Sequence, residues 1–331
     1  MPRSVTEWQA AARAKLDPAL WDYLEFTHPH GPTDAAGCWD AIPLYPRILR
    51  GATAAGIGAT VLGSSVTLPI LTAPNGRATR FHPDGELAVL RGARAAGTIA
   101  ILPSSVAASA ATLAAREPQA RWWQQLYMLN DRGLMAERLA RLRGAGCGAI
   151  VLTADLLPDG RAAPPPPPRA VWESGGVEAP ACYSGASLDD LEWLVGEAGL
   201  PVIVKGVLRP DDAALCVTAG ASGVIVSNHG GNQLPTAVAS AIALPAIVKA
   251  CPDADIYVDG GIRSGVSVLK ALAMGARAVL VGRPASYALA VAGADGVAAM
   301  LARLGDELAH AMQLCGVSDI RDLDGSLLTQ A

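Results

Sequence analysis

The chain has 331 residues, 51% of them apolar and 17% charged, and a formal net charge of −4. This composition supports one large buried core and excludes intrinsic disorder, and the absence of a basic excess argues against nucleic acid as a partner. The six cysteines, Cys38, Cys147, Cys182, Cys216, Cys251 and Cys315, are scattered with no CxxC pair. Neither a disulfide framework nor a metal centre is therefore expected, and reduced thiols in the cytoplasm are the default.

In chain order, the opening MPRSVTEWQA lacks the apolar region of a secretory signal. Ser4 with Glu7 three residues on has the spacing of a helix-capping box, and a second helical piece is expected around 18–26. Residues 1–66 are read as a helical segment. From there, short apolar, β-prone runs recur at 68–73, 98–102, 122–127, 149–153, 202–205, 223–227, 256–259 and 278–281. Their continuous apolar character suits parallel strands covered on both faces. Segments 83–96, 131–145, 210–219 and 264–274 read as helices. Each is followed by a glycine (Gly97, Gly146, Gly220, Gly275) where a left-handed C-terminal cap is wanted. Residues 95–115 carry no charge and are long enough to span a bilayer. Gly97, Pro103, Ser104, Ser105 and Ser109 interrupt them, so they read as a buried strand, a loop and a helix start, and no membrane association is expected.

The widest gap, 154–201, contains five consecutive prolines at 164–168, which cannot join a helix interior. A stiff surface linker and a lid over a site are both open readings. A helical tail is expected at 296–314. The whole predicts one α/β domain: an N-terminal segment 1–66, strands within 67–285 and C-terminal helices over 286–331. Eight β–α repeats fit a closed (β/α)8 TIM barrel, and an open doubly wound sheet accommodates the same count.

In a barrel, chemistry belongs at the C-terminal strand ends, and polar residues collect there. They include Asn75 and Gly76 after the first strand, Gln125 and Tyr127 at the third, and Thr153 and Asp155 at the fourth. Lys205 ends the fifth, Ser227 to Gly231 follow the sixth, Asp259 to Arg263 the seventh, and Gly282 and Arg283 the eighth. The last two clusters pair glycines with an arginine ahead of a helix, the form of a phosphate site; tight βα turns are the plainer reading. Lys205 is costly to bury without negative charge beside it. A carboxylate, an electron-rich ring or a Schiff-base role would each account for it. His229 sits in a glycine-rich turn as a candidate base, with Asp155 available to orient it.

In these residues the sequence resembles the FMN-dependent 2-hydroxy acid oxidase and dehydrogenase family, glycolate and lactate oxidases among them. The resemblance runs through WDY at 21–23, PRIL at 46–49, HPDGE at 82–86, QLY at 125–127, LTAD at 152–155, VKGV at 204–207, SNHGGNQL at 227–234, DGGIRSG at 259–265 and GRP at 282–284. It implies the closed barrel and a flavin site. Asn75 and Gly76 would face N5, and Gln125, Thr153 and Lys205 the ring edge. Ser227 and Asp259 would hold the ring or ribityl chain, and Gly261, Arg263, Gly282 and Arg283 the phosphate. It further implies Tyr23 and Tyr127 at the substrate, His229 as base supported by Asp155, and assembly into homotetramers.

Four positions depart from the family pattern. Where the family carries two carboxylate-clamping arginines, this chain has Ala162, with Arg161 one residue early, and Asn232. Asparagine lacks the charge and the fork, and losing such a contact costs on the order of 2–5 kcal/mol of binding if nothing compensates. Pro103 stands where the family has serine, with Ser104 beside it, and Gly76 where oxidases carry alanine. Arg77, Arg80 and Arg161 are the candidate replacement cations; a solvated loop face is their plainer reading. The expected function is oxidation of a 2-hydroxy-acid-like small molecule, unusual or bulky, with dioxygen as an eligible acceptor. The alternatives are an oxidative decarboxylase of monooxygenase type, which Gly76 favours, a flavin isomerase, and a barrel that binds FMN without catalysis.

Overall fold

The computed structural model describes residues 1–25, 34–52, 56–106, 108–155 and 186–329. Arg161, Ala162, the proline run and the tip of the expected helix at 18–26 lie outside the described residues. Strands are numbered in chain order. A hairpin of β1 (Ala59–Val61) and β2 (Ser64–Val66) precedes β3 (Ile70–Thr72), β4 (Ile99–Leu102), β5 (Arg121–Leu126), β6 (Ile150–Thr153), β7 (Val202–Val207), β8 (Gly223–Val226), β9 (Asp255–Val258) and β10 (Ala278–Val281). The last eight are all parallel and close on themselves, β10 pairing β3 through Val279–Ile70 and its successors. This is the (β/α)8 barrel, and the open sheet is excluded.

The strands look uniformly apolar because both faces are covered, yet an alternation is hidden inside them. Leu71, Ile99, Ile101, Trp123, Val151, Ile203, Ile225, Tyr257 and Leu280 pack into one interior cluster, while Ile70, Ala100, Leu102, Ile150, Val204 and Val226 join the outer cluster with the helices. Successive side chains of a strand alternate faces, so this parity fixes what each strand presents further along. Two residues beyond the interior set come Ala73, Pro103, Gln125, Thr153, Lys205, Ser227, Asp259 and Gly282. The polar layer at the barrel mouth is therefore the next floor of the same inward column.

The opposite end is plugged by the β1–β2 hairpin, whose Val61 and Val66 join the interior cluster. Asp255 anchors it, its Oδ2 accepting from Leu62 N–H at 3.2 Å and from Tyr257 Oη at 2.9 Å. The hairpin corrects the reading of 1–66 as wholly helical: its strands are three residues each, too short for a periodic signal. Upstream helices run Val5–Lys15, Pro18–Leu24 and Ala35–Asp40. The capping box at Ser4 is half made. Ser4 Oγ accepts from Glu7 N–H, but the Glu7 carboxylate turns back to Arg3 N–H.

The helices Gly85–Ala95, Arg132–Gly144, Pro210–Thr218 and Gly265–Ala273 fall where expected, and the glycine after each has positive φ. Residues 95–115 resolve into β4 and the start of the helix Ala110–Arg116. Among the described residues one helix, Arg283–Leu314, is long and apolar enough by composition to cross a bilayer. It is kinked at Ala292 and Gly293 and buries Tyr287, Leu289, Val297, Leu301, Leu304 and Leu308 in the outer cluster. It begins directly at the GRP turn, earlier than the tail expected at 296–314.

Candidate active site

The mouth divides into three groups of residues. The first is built from the C-terminal ends of β5 to β9. Lys205 and Asp259 are both buried and pair at 3.2 Å, which answers the question of what neutralises the lysine. A paired ammonium is a poor nucleophile, so the Schiff-base role falls away. Lys205 Nζ also donates to Ser227 Oγ at 2.8 Å, and the same oxygen accepts from His229 N–H at 3.1 Å. With both lone pairs engaged, the Ser227 hydroxyl proton is left to donate elsewhere. Gln125 Oε1 accepts from Ser104 N–H at 2.9 Å, which fixes the orientation of the amide. Gln125 Nε2 and Asp259 Oδ1 are buried with no partner among the described residues. Orphaned buried polar atoms are rare and call for a ligand.

Beside them stands the pair His229–Asp155. His229 Nδ1 lies 2.9 Å from Asp155 Oδ1. Burial pushes the Asp155 carboxyl up, but the His229 hydrogen bond, the His229 charge and Lys205 outweigh it and hold it below the ordinary 3.8. The bond assigns the proton to Nδ1 and leaves Nε2 as the basic atom. Two chain features create the contact. His229 has φ 54°, a left-handed conformation costly for a non-glycine residue. Gly206 leaves room for the carboxylate: a Cβ there would stand 2.6 Å from Asp155 Cγ.

The second group is the arginine pair. Burial first, then the charge of Arg283, holds the Arg263 guanidinium below its ordinary value. Two like charges drawn together in a partly buried pocket are expensive unless an anion joins them. The turn that carries Arg263 is braced by the N-terminal segment. Trp39 Nε1 donates to the Gly260 carbonyl at 2.8 Å, and a Cβ on Gly261 would lie 2.1 Å from the Ala35 carbonyl. Gly261 thus has a packing reason to be glycine. Gly282 approaches the Asn75 amide, and Asn75 Nδ2 donates to Ser286 Oγ at 2.8 Å.

The third group faces these across the mouth. Tyr23, on the helix Pro18–Leu24, stacks on Phe81 with centroids 6.5 Å apart. The Arg77 guanidinium sits over the Tyr23 ring at 4.4 Å. Burial raises the Tyr23 hydroxyl, and Arg77 and Arg80 pull against it. Arg77 is itself left-handed at φ 64°, the second such non-glycine residue at the mouth after His229. A Cβ on Gly76 would be 3.1 Å from Ser105 Oγ and 3.8 Å from the Tyr23 hydroxyl, so glycine keeps the space between them open. Tyr127 is half-buried, two residues beyond Gln125 on the inward column; Asn232 donates its N–H to the His229 carbonyl at 3.2 Å.

Sequence reasoning missed Glu25, Trp39, Ser105 and Ser286. Their partners lie far away in the chain, as with the 221 residues separating Trp39 from Gly260, and no local pattern carries such a signal.

Comparison with known proteins agrees with this geometry. A family model described as FMN-dependent dehydrogenase matches residues 12–164 and 173–330. The chain is 36% identical to an L-lactate oxidase from Nostoc sp., over 99% of its own length and 98% of that protein's. It is 35% identical to glycolate oxidase 1 of Oryza sativa subsp. indica, with 97% and 94% covered. A crystal structure of mandelate oxidase with (S)-2-phenylpropionate superposes with a TM-score of 0.87 at 36% identity, covering 99% and 98% of the two chains.

Proposed function

Since the chain belongs to the FMN-dependent 2-hydroxy acid oxidase family, we propose that it oxidises the CH–OH carbon of a 2-hydroxy acid whose carboxylate is recognised by Arg77 at the first βα loop. The donor set suits FMN. The orphaned Gln125 Nε2, the Lys205 ammonium and the free Ser227 proton are matched to a heteroaromatic ring with carbonyl edges, and the Arg263–Arg283 pair to a phosphate. Thr153, Asp259, Gly261, Gly282 and the Asn75–Gly76 backbone complete that cradle in this reading. When bound, FMN would supply the acceptor for the substrate's electron pair, with dioxygen as the terminal acceptor.

The residues of the chain handle the proton. His229 Nε2 takes a proton from the substrate, and Asp155 stabilises the imidazolium that results and keeps the ring turned to the mouth. Lys205, already paired with Asp259, places positive charge where electron density collects. Tyr23 and Tyr127 position the hydroxy acid by hydrogen bonds. The single observation that carries the catalytic reading is the 2.9 Å His229–Asp155 contact, reached through a strained backbone.

Arg77 answers the loss of the family's two arginines. A guanidinium held over a tyrosine face presents planar N–H donors of the geometry that suits a carboxylate. Its left-handed backbone persists only where surroundings and function hold it. The likeness to mandelate oxidase supports a substrate with a bulky side chain. Anaerobic mixing with 2-hydroxy-2-phenylacetate, read as bleaching of the flavin absorbance, tests the reading. Reduction supports it; a flavin that stays oxidised with every 2-hydroxy acid offered defeats it.

A further inference from the structure

Glu25 closes the helix Pro18–Leu24 and turns its carboxylate into the arginine pair. Glu25 Oε2 lies 3.8 Å from Arg283 Nη1, and Glu25 Oε1 accepts a hydrogen bond from the Tyr287 hydroxyl. Its charge also favours the Arg263 cation. Tyr287 is fully buried and stacks on Trp21 of the same helix at 6.1 Å, so the carboxylate is held there from both ends. Neither the family roles nor the sequence patterns account for an acid in a cationic phosphate cradle.

Charge arithmetic shows what this acid does. Two arginines alone match a phosphate monoester of about −1.5 to −2; with Glu25 included, the cradle offers only one net positive charge. We propose that Glu25 is a built-in counter-anion of the phosphate cradle. It offsets one of the two positive charges of Arg263 and Arg283 while the chain folds, and it weakens the grip on the FMN phosphate once the cofactor is bound. The inference rests on the placement of that phosphate proposed above. It also gives the Tyr23-bearing helix a direct tie to the cofactor site, since Tyr23 and Glu25 are two residues apart.

The test uses the full-length chain, stripped of flavin and titrated with FMN and, separately, with riboflavin, which lacks the phosphate. Quenching of flavin fluorescence reads each affinity. Glu25→Gln keeps an oxygen for the Tyr287 hydroxyl and removes only the charge. Its FMN affinity is expected to rise roughly tenfold, as for one unit charge removed a few ångströms from another, with riboflavin affinity unchanged. Glu25→Ala is expected to move in the same direction. An FMN affinity that is unchanged or weaker in both variants overturns the proposal. If the wild-type chain binds FMN no more tightly than riboflavin, the arginine pair does not hold the phosphate, and the placement fails together with the inference drawn from it.

Discussion

The two sides of the barrel mouth are built differently. On the side of β6 to β10 the polar residues interlock. Lys205 bonds Asp259 and Ser227, Ser227 bonds the His229 backbone, and His229 bonds Asp155. On the side of the first βα loop the contacts are a stack and a cation over a ring, Phe81–Tyr23–Arg77, with Ser105 close against Gly76. The first side carries the family's Asp155, Lys205, Ser227, His229 and Asp259, and the substrate departures, Ala162 after β6 and Asn232 after β8, lie in the loops beyond these residues. Cofactor chemistry tolerates little change because each group there satisfies its neighbours, so one replacement leaves another buried group unpaired. A substrate contact on a loop can move to another loop without that penalty.

Breaking the interlocked side is expected to have the largest effect. His229→Ala should retain bound flavin and lose substrate-driven reduction by about 10³-fold or more, the loss expected for a base and its positioned proton transfer. Stopped-flow absorbance under anaerobic conditions measures it, and turnover equal to wild type would remove His229 from the mechanism.

Asp155→Asn should slow reduction by roughly 10²-fold or more, because the anion that orients the ring is gone. The pH dependence has a definite sign. The folded Asp155 carboxyl lies below its ordinary 3.8, so its contribution to stability is complete above that value and is lost only as the pH falls through the lowered one. Asp155 therefore stays charged throughout the neutral range, and a fall in reduction rate between pH 7 and pH 5 must come from another group. Reduction by Asp155→Asn at the wild-type rate would contradict the orienting role.

The double change Arg263→Ala with Arg283→Ala should weaken FMN retention about 10- to 100-fold, as charge-assisted hydrogen bonds are lost. Equilibrium dialysis followed by absorbance reads it, and a fully yellow variant would refute the phosphate assignment. The smallest expected effect concerns the brace. Trp39→Phe removes the bond to the Gly260 carbonyl and should cost about 1 kcal/mol of stability, seen as a lower denaturant midpoint; an unchanged midpoint would show that the brace is packing alone.

Much of this was legible in the sequence, for a physical reason. Parallel strands buried on both faces read as apolar runs, and the inward parity that places Ile203 in the core places Lys205 one layer above it. The polar layer could therefore be assigned from strand ends such as Gln125, Thr153 and Ser227. The hairpin at the barrel floor was not legible, because three-residue strands leave no periodicity. Glu25 and Trp39 were not legible either, since their importance lies in residues more than two hundred positions away. Arg77 was visible as a candidate cation, but only its stacking on Tyr23 distinguishes it from Arg80, which is exposed.

The most direct test of the account compares 2-hydroxy-2-phenylacetate with its amide as reductants of the wild-type enzyme and of Arg77→Leu, by anaerobic flavin bleaching over a range of concentrations. The account predicts that Arg77→Leu raises the half-saturating concentration of the acid by about 30-fold or more, as for the loss of one charged contact worth 2–5 kcal/mol, and leaves the amide unchanged. Equal half-saturation by the acid in the two proteins would contradict it, and would mean that the carboxylate is recognised elsewhere or that the natural substrate carries none.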